Sequence, residues 1–97
     1  MIKAKFQYKQ NQIVSYQITG HAMHALKGYD IVCAAVSVMS TVITNELTEA
    51  TVSDDGGLFV GLIVPSQKNA VLCNALLHGL QQVSDQHPEN LQVIINV

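Results

Sequence analysis

The chain has 97 residues and a formal net charge of −2, and 48% of its residues are apolar whereas 12% are charged. A chain of this length fits one domain, which we expect to span residues 1–97. The few Lys and Arg residues form no basic run, which argues against direct binding of DNA or RNA as the main activity. So few charges on a small domain favour self-association through apolar surface.

The N-terminus and the lengths of the apolar runs indicate the compartment. Residues 1–9 alternate apolar and polar side chains, which is not the pattern of a signal peptide. No apolar run approaches the roughly 20 residues that cross a bilayer. We therefore expect a cytoplasmic protein with no membrane partner, in which Cys33 and Cys73 are free thiols rather than a disulfide.

The strand signals form two hairpins and a closing strand. Alternating apolar and polar residues, or short apolar runs bounded by turn residues, predict strands. Gln10-Asn11 separates the first two strands, and Asp54-Asp55-Gly56-Gly57 is a strong turn signal between the next two. The predicted strands lie at residues 2–9, 13–19, 50–54, 58–64 and 91–97.

A predicted helix follows each hairpin. Asp30 is the expected N-cap of the first helix, whose apolar residues recur every three or four positions as far as residue 47. Pro65-Ser66 opens the second helix, which runs to about His87 and ends before Pro88. The predicted order is β-β-α-β-β-α-β. We therefore expect an α+β fold in which two helices cover a small mixed or antiparallel sheet.

The loop before the first helix, together with the start of that helix, contains the residues that suggest a reaction. His21 lies in a loop bounded by Gly20 and Gly28, and Cys33 follows it by twelve residues, at the expected third position of the helix. Unpaired N–H groups at a helix N-terminus and a neighbouring imidazolium both favour the thiolate form of a cysteine. The two residues therefore predict a nucleophile and its base.

Two further residues could support this pair. Asp30, as N-cap, could accept a hydrogen bond from the backbone N–H of Cys33 and so fix where the sulfur points. Its negative charge opposes ionisation of the thiol, which leaves most of the activation to His21. Ser37 lies four residues after Cys33 on the same helix face, where it could bond near the sulfur or hold His21.

Each of these residues also has a purely structural interpretation. Cys33 could be a small buried apolar residue, Asp30 a plain helix cap and Ser37 a packing residue. His24 could replace His21 as the base, or could join His21 and Cys33 as a zinc ligand. That trio has no Cys-x-x-Cys pair and no obvious fourth ligand, so we expect neither a metal nor another cofactor.

Cys73 is predicted to be a core residue because it lies among apolar residues of the second helix. A thiol redox sensor at Cys33 would need Cys73 as a reachable resolving partner, and this position argues against it. His78 and His87 lie on or near the polar side of the same helix, where solvated histidines are expected.

Gly20-His21-Ala22, followed by Gly28-x-Asp30-x-Val32-Cys33-Ala34 and then Ser37, resembles the ribosomal-processing cysteine protease family, Prp. The motif fixes several residue types at set spacings and is fairly specific. The similarity extends more loosely over the whole chain through its length, its first hairpin, the Asp-Asp-Gly-Gly turn and the last helix and strand. No motif position departs from the family pattern, and His24 is an addition between the matched segments.

The resemblance implies an activity, a partner and a set of site residues. It implies that Cys33 is the nucleophile and His21 its base, that Gly20, Asp30 and Ser37 support the site, and that the chain forms a homodimer. The implied substrate is the precursor of the twenty-seventh large-subunit ribosomal protein, cleaved in its N-terminal extension after a pair of phenylalanines. The alternative is a non-enzymatic ribosome-assembly or peptide-binding module in which Cys33 only packs.

Overall fold

The computed structural model describes residues 1–20 and 29–97, without the side chains of residues 29 and 30. Within these ranges the helices and strands follow the predicted order, and the α+β fold is confirmed. The elements are β1 (Ile2–Lys9), β2 (Gln12–Thr19), α1 (Tyr29–Glu46), β3 (Thr51–Ser53), β4 (Leu58–Gly61), α2 (Gln67–Gln86) and β5 (Leu91–Asn96).

The strands form one mixed sheet of five strands in the order β3-β4-β2-β1-β5. Neighbouring strands are antiparallel except for β1 and β5, which pair in parallel from Ile2 beside Leu91 to Gln7 beside Asn96. The turn between β1 and β2 uses Gln10 and Asn11, with positive φ angles of 53° and 64°. Two consecutive positive φ angles match the right-handed twist of a hairpin, which explains why these residue types occupy the turn.

One face of the sheet is covered by both helices. On β1, the apolar residues Ile2, Ala4 and Phe6 are fully buried, whereas Lys3 and Gln7, on the opposite face, are exposed. The two helices contact each other and place their apolar stripes on the buried face. The principal helix contributions to this core are Val32, Val36, Cys73, Leu76, Leu77 and Leu80.

The start of α1 differs from the prediction. The helix begins at Tyr29, so Asp30 lies within its first turn rather than at its N-cap, and Cys33 is its fifth residue rather than its third. A first turn is still a favourable place for an acidic residue, because the N-terminal end of the helix dipole is positive. Cys33, however, lies beyond the first four N–H groups, the ones that a helix leaves unpaired.

The end of β4 also differs, because the strand stops at Gly61 rather than continuing to residue 64. Leu62 has a φ of 50°, a conformation that is incompatible with a strand and rare for a branched apolar residue. The following backbone stays attached to the sheet, since the N–H of Ile63 donates to the carbonyl of Val14 at 3.1 Å.

The second helix begins and ends close to its predicted limits. The Ser66 hydroxyl caps it by accepting a hydrogen bond from the N–H of Asn69 at 3.0 Å, and His87 is its C-cap. No helix in residues 1–20 and 29–97 is long and apolar enough to cross a membrane.

Candidate active site

A groove of about 370 Å³ runs along α1, between this helix and the sheet. Its apolar walls come from β1, β2, α1 and the β3–β4 hairpin, and its polar groups come mainly from α1. The residues that line it are Ile2, Ile18, Cys33, Val36, Ser37, Ser40, Thr41, Thr44, Asn45, Val52, Asp54, Gly57 and Leu58.

Cys33 is a half-buried free thiol that lines this groove. The flanking positions explain its placement, because Val32 and Val36 are buried in the core and hold this side of α1 against the sheet. Ser37 is exposed and also lines the groove, one turn further along the helix. Cys33 and Ser37 therefore share a groove, as their spacing predicts.

The row of small polar side chains continues beyond Ser37. Ser40 and Thr44 lie on the same side of α1, both are buried, and both line the groove. The Thr44 hydroxyl forms a 2.7 Å hydrogen bond with the hydroxyl of Tyr16, a residue of β2. The Ser40 hydroxyl has no hydrogen-bond partner within residues 1–20 and 29–97.

Tyr16 lies under this end of the groove. Its ring packs against Phe6 with 5.5 Å between ring centroids. Burial raises the pKa of Tyr16 to about 12, although the hydrogen bond with Thr44 opposes the shift. The residue is therefore a neutral hydroxyl at physiological pH and fixes the side chain of Thr44.

Gly20 is the last described residue before His21, and it lies beside Ile2, a residue of the groove wall. It follows the end of β2, has a φ of 88°, and lies so close to the start of β1 that an added Cβ would overlap the carbonyl oxygen of Met1. The same Cβ would lie 3.4 Å from the Cα of Ile2, a residue of the groove wall. This position requires glycine both for its backbone conformation and for space.

Other predicted site residues fall outside the description. His21 and His24 lie outside the described residues, as does the side chain of Asp30. The distance between His21 and Cys33 is therefore not part of the observed geometry. The alternative zinc trio of His21, His24 and Cys33 has its two histidines outside the described ranges. In the remaining chain no group of three His, Cys, Asp or Glu residues could hold a metal.

Cys73 is confirmed as a core residue. It is a free thiol with 1% of its surface exposed, and burial raises its pKa to about 11. It is therefore a neutral, inaccessible thiol, in contrast to Cys33 in the groove. Of the histidines on α2, His78 is exposed and His87 is half-buried at the C-cap.

Ser40, Thr44 and the hairpin residues of the groove lie outside the motif that predicts the site. Ser40 and Thr44 follow Cys33 by seven and eleven residues, which is the spacing of one helix face, so helical periodicity could have found them. Asp54 and Gly57 belong to the turn between β3 and β4, and no local signal connects that turn with α1.

Comparisons with known proteins agree with this fold. The profile of the family "Cysteine protease Prp" matches residues 1–92. The ribosomal processing cysteine protease Prp of Bacillus subtilis (strain 168) is 27% identical over 111 residues, covering 100% of this chain and 99% of that protein.

Solved structures show the same architecture. SMU.848 from Streptococcus mutans has a TM-score of 0.81 and 33% identity, over 99% of this chain and 94% of that one. The ribosomal processing protease Prp from S. aureus, in complex with a covalently linked product peptide, has a TM-score of 0.87 and 22% identity, over 99% of this chain and 100% of that one.

A helix-covered mixed sheet with a thiol in a groove, matched over nearly the whole chain to proteases, defines a cysteine protease, and hence a hydrolase. The chain belongs to the Prp family of ribosomal-processing cysteine proteases.

Proposed function

We propose that the chain is an endopeptidase that removes the N-terminal extension of the twenty-seventh large-subunit ribosomal protein, with Cys33 as nucleophile and His21 as base. The observation that carries the proposal is the position of Cys33, half-buried on α1 in a groove with apolar walls. An apolar peptide with a phenylalanine pair fits such walls better than a charged segment does. The B. subtilis relative is named a ribosomal processing protease, and S. aureus Prp has been crystallised with a substrate peptide.

The proposed reaction has two stages. In the first, the Cys33 thiolate attacks the carbonyl carbon of the scissile bond, and the C–N bond breaks as the His21 imidazolium gives its proton to the leaving amine. The product of this stage is a thioester between Cys33 and the N-terminal fragment. In the second stage His21 takes a proton from water, the hydroxide attacks the thioester, and the thiolate is released.

Three residues near Cys33 and His21 have proposed supporting roles. Gly20, the residue before His21, is held at the end of β2 because the carbonyl of Met1 lies against it. Asp30, in the first turn of α1, contributes to the start of the helix that carries Cys33. Ser37 lines the groove one turn beyond Cys33, where its hydroxyl can bond the peptide or the imidazole.

Cleavage of the ribosomal precursor by purified variants tests the proposal. Cys33→Ala and His21→Ala should each abolish cleavage. The first removes the nucleophilic sulfur, and the second removes the imidazole that transfers protons. Cys73→Ala and His78→Ala are the matched controls and should cleave at close to the unchanged rate, since one residue is a buried core thiol and the other an exposed helix residue. Circular dichroism should show the same fold in all four variants.

The opposite result would favour a non-enzymatic role. Undiminished trimming by Cys33→Ala protein would leave the thiol as a packing group, and the groove would then act in peptide binding or ribosome assembly only. If Cys33→Ala protein binds the precursor without cleaving it, the result supports the proposed protease activity.

A second copy of the chain is the proposed partner for the outer side of α1. Ile31, Val38 and Val42 are 66%, 62% and 55% exposed and recur at helical spacing, so they form an apolar stripe turned away from the core. Such a stripe on a chain with few charges favours a homodimer.

Sedimentation velocity should show a dimer that Val38→Lys converts to a monomer. Monomeric unaltered protein at assay concentration would contradict it. The proposed functional form is a cytoplasmic homodimer of single-domain chains.

A further inference from the structure

The face of the sheet that the helices leave open carries an uneven charge. Lys3, Lys5 and Lys9 are three of the chain's five Lys and Arg residues, and all three lie on β1, on the side opposite its buried apolar residues. None of the five strands described above contains Asp or Glu. The chain's seven acidic residues therefore all lie elsewhere. The open face is positive on a chain whose net charge is negative.

Strand geometry brings these three lysines together although they form no run in the sequence. Side chains at every second position of a strand share one face and lie about 6.6 Å apart. Lys3, Lys5 and Lys9 therefore form a row about 20 Å long. The row crosses the interior of the sheet, since β1 lies between β2 and β5.

Neutral polar side chains flank this lysine row. The register places Gln17 of β2 beside Lys5, and it places Ser15 and Asn96 on either side of Gln7. Amides and hydroxyls both donate and accept hydrogen bonds, whereas a carboxylate only accepts them. These side chains therefore suit a ligand that also does both, such as the edge of a nucleobase or a ribose hydroxyl.

One aromatic ring lies beside the polar side chains. Phe59 of β4 pairs with Gln17, which places it two strands, or about 10 Å, from Lys5. It is half-buried, and with Lys5 and Gln17 it lines a hollow of about 430 Å³. Gly61 lines the same hollow, and a Cβ added there would meet nothing within 4 Å, so the space over this backbone is open. The hollow thus leaves room for a flat ring against Phe59.

We propose that the open face of the sheet binds single-stranded RNA, with phosphates on the lysine row and a base stacked on Phe59. A nucleotide combines a negative charge, a flat ring and neutral hydrogen-bonding groups, whereas an acidic peptide supplies only the first. The ribose 2′-hydroxyl, a donor and acceptor for Ser15 or Gln17, favours RNA over DNA. Three lysines make this a salt-sensitive accessory contact, and it leaves the groove with Cys33, on the other side of the sheet, free for peptide.

Fluorescence anisotropy with a labelled eight-nucleotide oligo(U) RNA, at about 50 to 200 mM KCl, tests the lysine row. For single strands, the logarithm of the association constant falls with the logarithm of the salt concentration by about 0.7 per phosphate contacted, so three contacts predict a slope of about −2. Lys3→Gln, Lys5→Gln and Lys9→Gln should each change the slope to about −1.4. Lys68→Gln is the matched control, because it removes an exposed lysine of α2, and it should leave the slope unchanged.

The stacking contact has a different signature in the same assay. Phe59→Leu should weaken binding about tenfold at every salt concentration and leave the slope unchanged, because it removes the ring but no charge. Phe59→Tyr keeps an aromatic face and should bind as the unaltered protein does. Circular dichroism should show the same fold in all variants.

The remaining outcomes separate this site from other occupants and from the protease activity. No binding of RNA, equal binding of oligo(dU) DNA, or slopes that are the same for all four lysine variants would overturn the proposal. Competition by oligoglutamate of the same charge that matches competition by RNA would also overturn it, and would assign the face to an acidic protein segment. Lys5→Gln and Phe59→Leu should cleave the precursor peptide at the unaltered rate, and a loss of cleavage would show that this face acts in proteolysis instead.

Discussion

At the scale of single residues, the hydrogen bond between Tyr16 and Thr44 joins β2 to α1 beneath the groove. The two hydroxyl oxygens are 2.7 Å apart, both residues are buried, and 28 positions separate them in the chain. A buried hydroxyl that loses its only partner costs about 1–3 kcal/mol. The pair therefore fixes the distance between the helix that carries Cys33 and the sheet under it.

Tyr16→Phe should lower the free energy of unfolding by about 1–3 kcal/mol, because it leaves the Thr44 hydroxyl buried without its partner. Urea denaturation measures the loss. The double variant Tyr16→Phe with Thr44→Val is the control, and it should be less destabilised than the sum of the two single changes, since no unpaired hydroxyl remains. Strictly additive losses would show that the bond contributes no coupling.

At the scale of the elements, the α2 N-terminus is held to the rest of the molecule by one buried side chain. Asn69 accepts a hydrogen bond from the N–H of Thr48 at 3.0 Å and donates to the carbonyls of Thr48 and Val64 at 2.7 and 2.8 Å. These two carbonyls belong to the connections on either side of the β3–β4 hairpin. Asn69 therefore also fixes the hairpin that forms one wall of the groove.

Replacing Asn69 by Ala should lower the free energy of unfolding by about 2–4 kcal/mol, since three backbone groups lose their partner. Chemical denaturation at neutral pH gives this value. Asn74→Ala, an exposed asparagine on the same helix, should change stability by less than about 0.5 kcal/mol. Equal effects of the two substitutions would contradict the role assigned to Asn69.

Two glycines with similar backbone angles separate the effect of conformation from the effect of space. Gly20 and Gly56 have φ angles of 88° and 78°, but an added Cβ meets the carbonyl of Met1 at the first and nothing within 4 Å at the second. We expect Gly56→Ala to lower the free energy of unfolding by about 1–2 kcal/mol, because alanine is strained in the left-handed conformation.

Gly20→Ala should lose more stability than Gly56→Ala and should also lower the rate of peptide cleavage, because the backbone must move where the segment with His21 begins. Gly56→Ala should cleave at a nearly unchanged rate. Thermal unfolding and a cleavage assay on the same preparations measure both effects. A Gly20→Ala protein with full activity would show that this close contact does not position the site.

The order of the elements could be predicted because strand alternation and helical spacing are local. The predicted start of α1, at Ile31, lies two residues beyond its actual start at Tyr29, because Asp30 is a favourable residue both as an N-cap and within a first turn. The end of β4 was missed since nothing in its residue types marks Leu62 for a positive φ.

Part of the candidate site could be predicted for the same reason, and part could not. Cys33 and Ser37 are close in sequence, so their shared groove follows from helical spacing. The bond between Thr44 and Tyr16 depends on how α1 docks onto β2, and the closing of the groove by the hairpin turn depends on the register of β4. These are tertiary contacts that no short pattern encodes.

At the scale of the whole molecule, stability should depend on alkaline pH. Burial raises the pKa of Cys73 from 9.0 to about 11 and that of Tyr16 from 10.0 to about 12. The unfolded chain therefore loses these protons at a lower pH than the folded chain does. Stability from these groups is fully present below about pH 9 and falls as the pH rises from there to about 12.

Urea unfolding under reducing conditions at pH 8, 9, 10 and 11 should show the free energy of unfolding decreasing at each step above pH 9. Tyr16→Phe should flatten the part of the decline above pH 10, because the tyrosine proton is then absent from both states. A stability that stays constant from pH 8 to 11 would contradict the burial of these two groups.

The central claim is that the Cys33 sulfur bonds the substrate directly, and acid-quenched mass spectrometry during cleavage of the precursor peptide tests it most directly. The account predicts a transient species heavier by the acyl mass of the N-terminal fragment, located on Cys33 by digestion and absent from Cys33→Ala protein. Precursor cleaved by the Cys33→Ala protein, or an adduct carried by Cys73 instead, would contradict it.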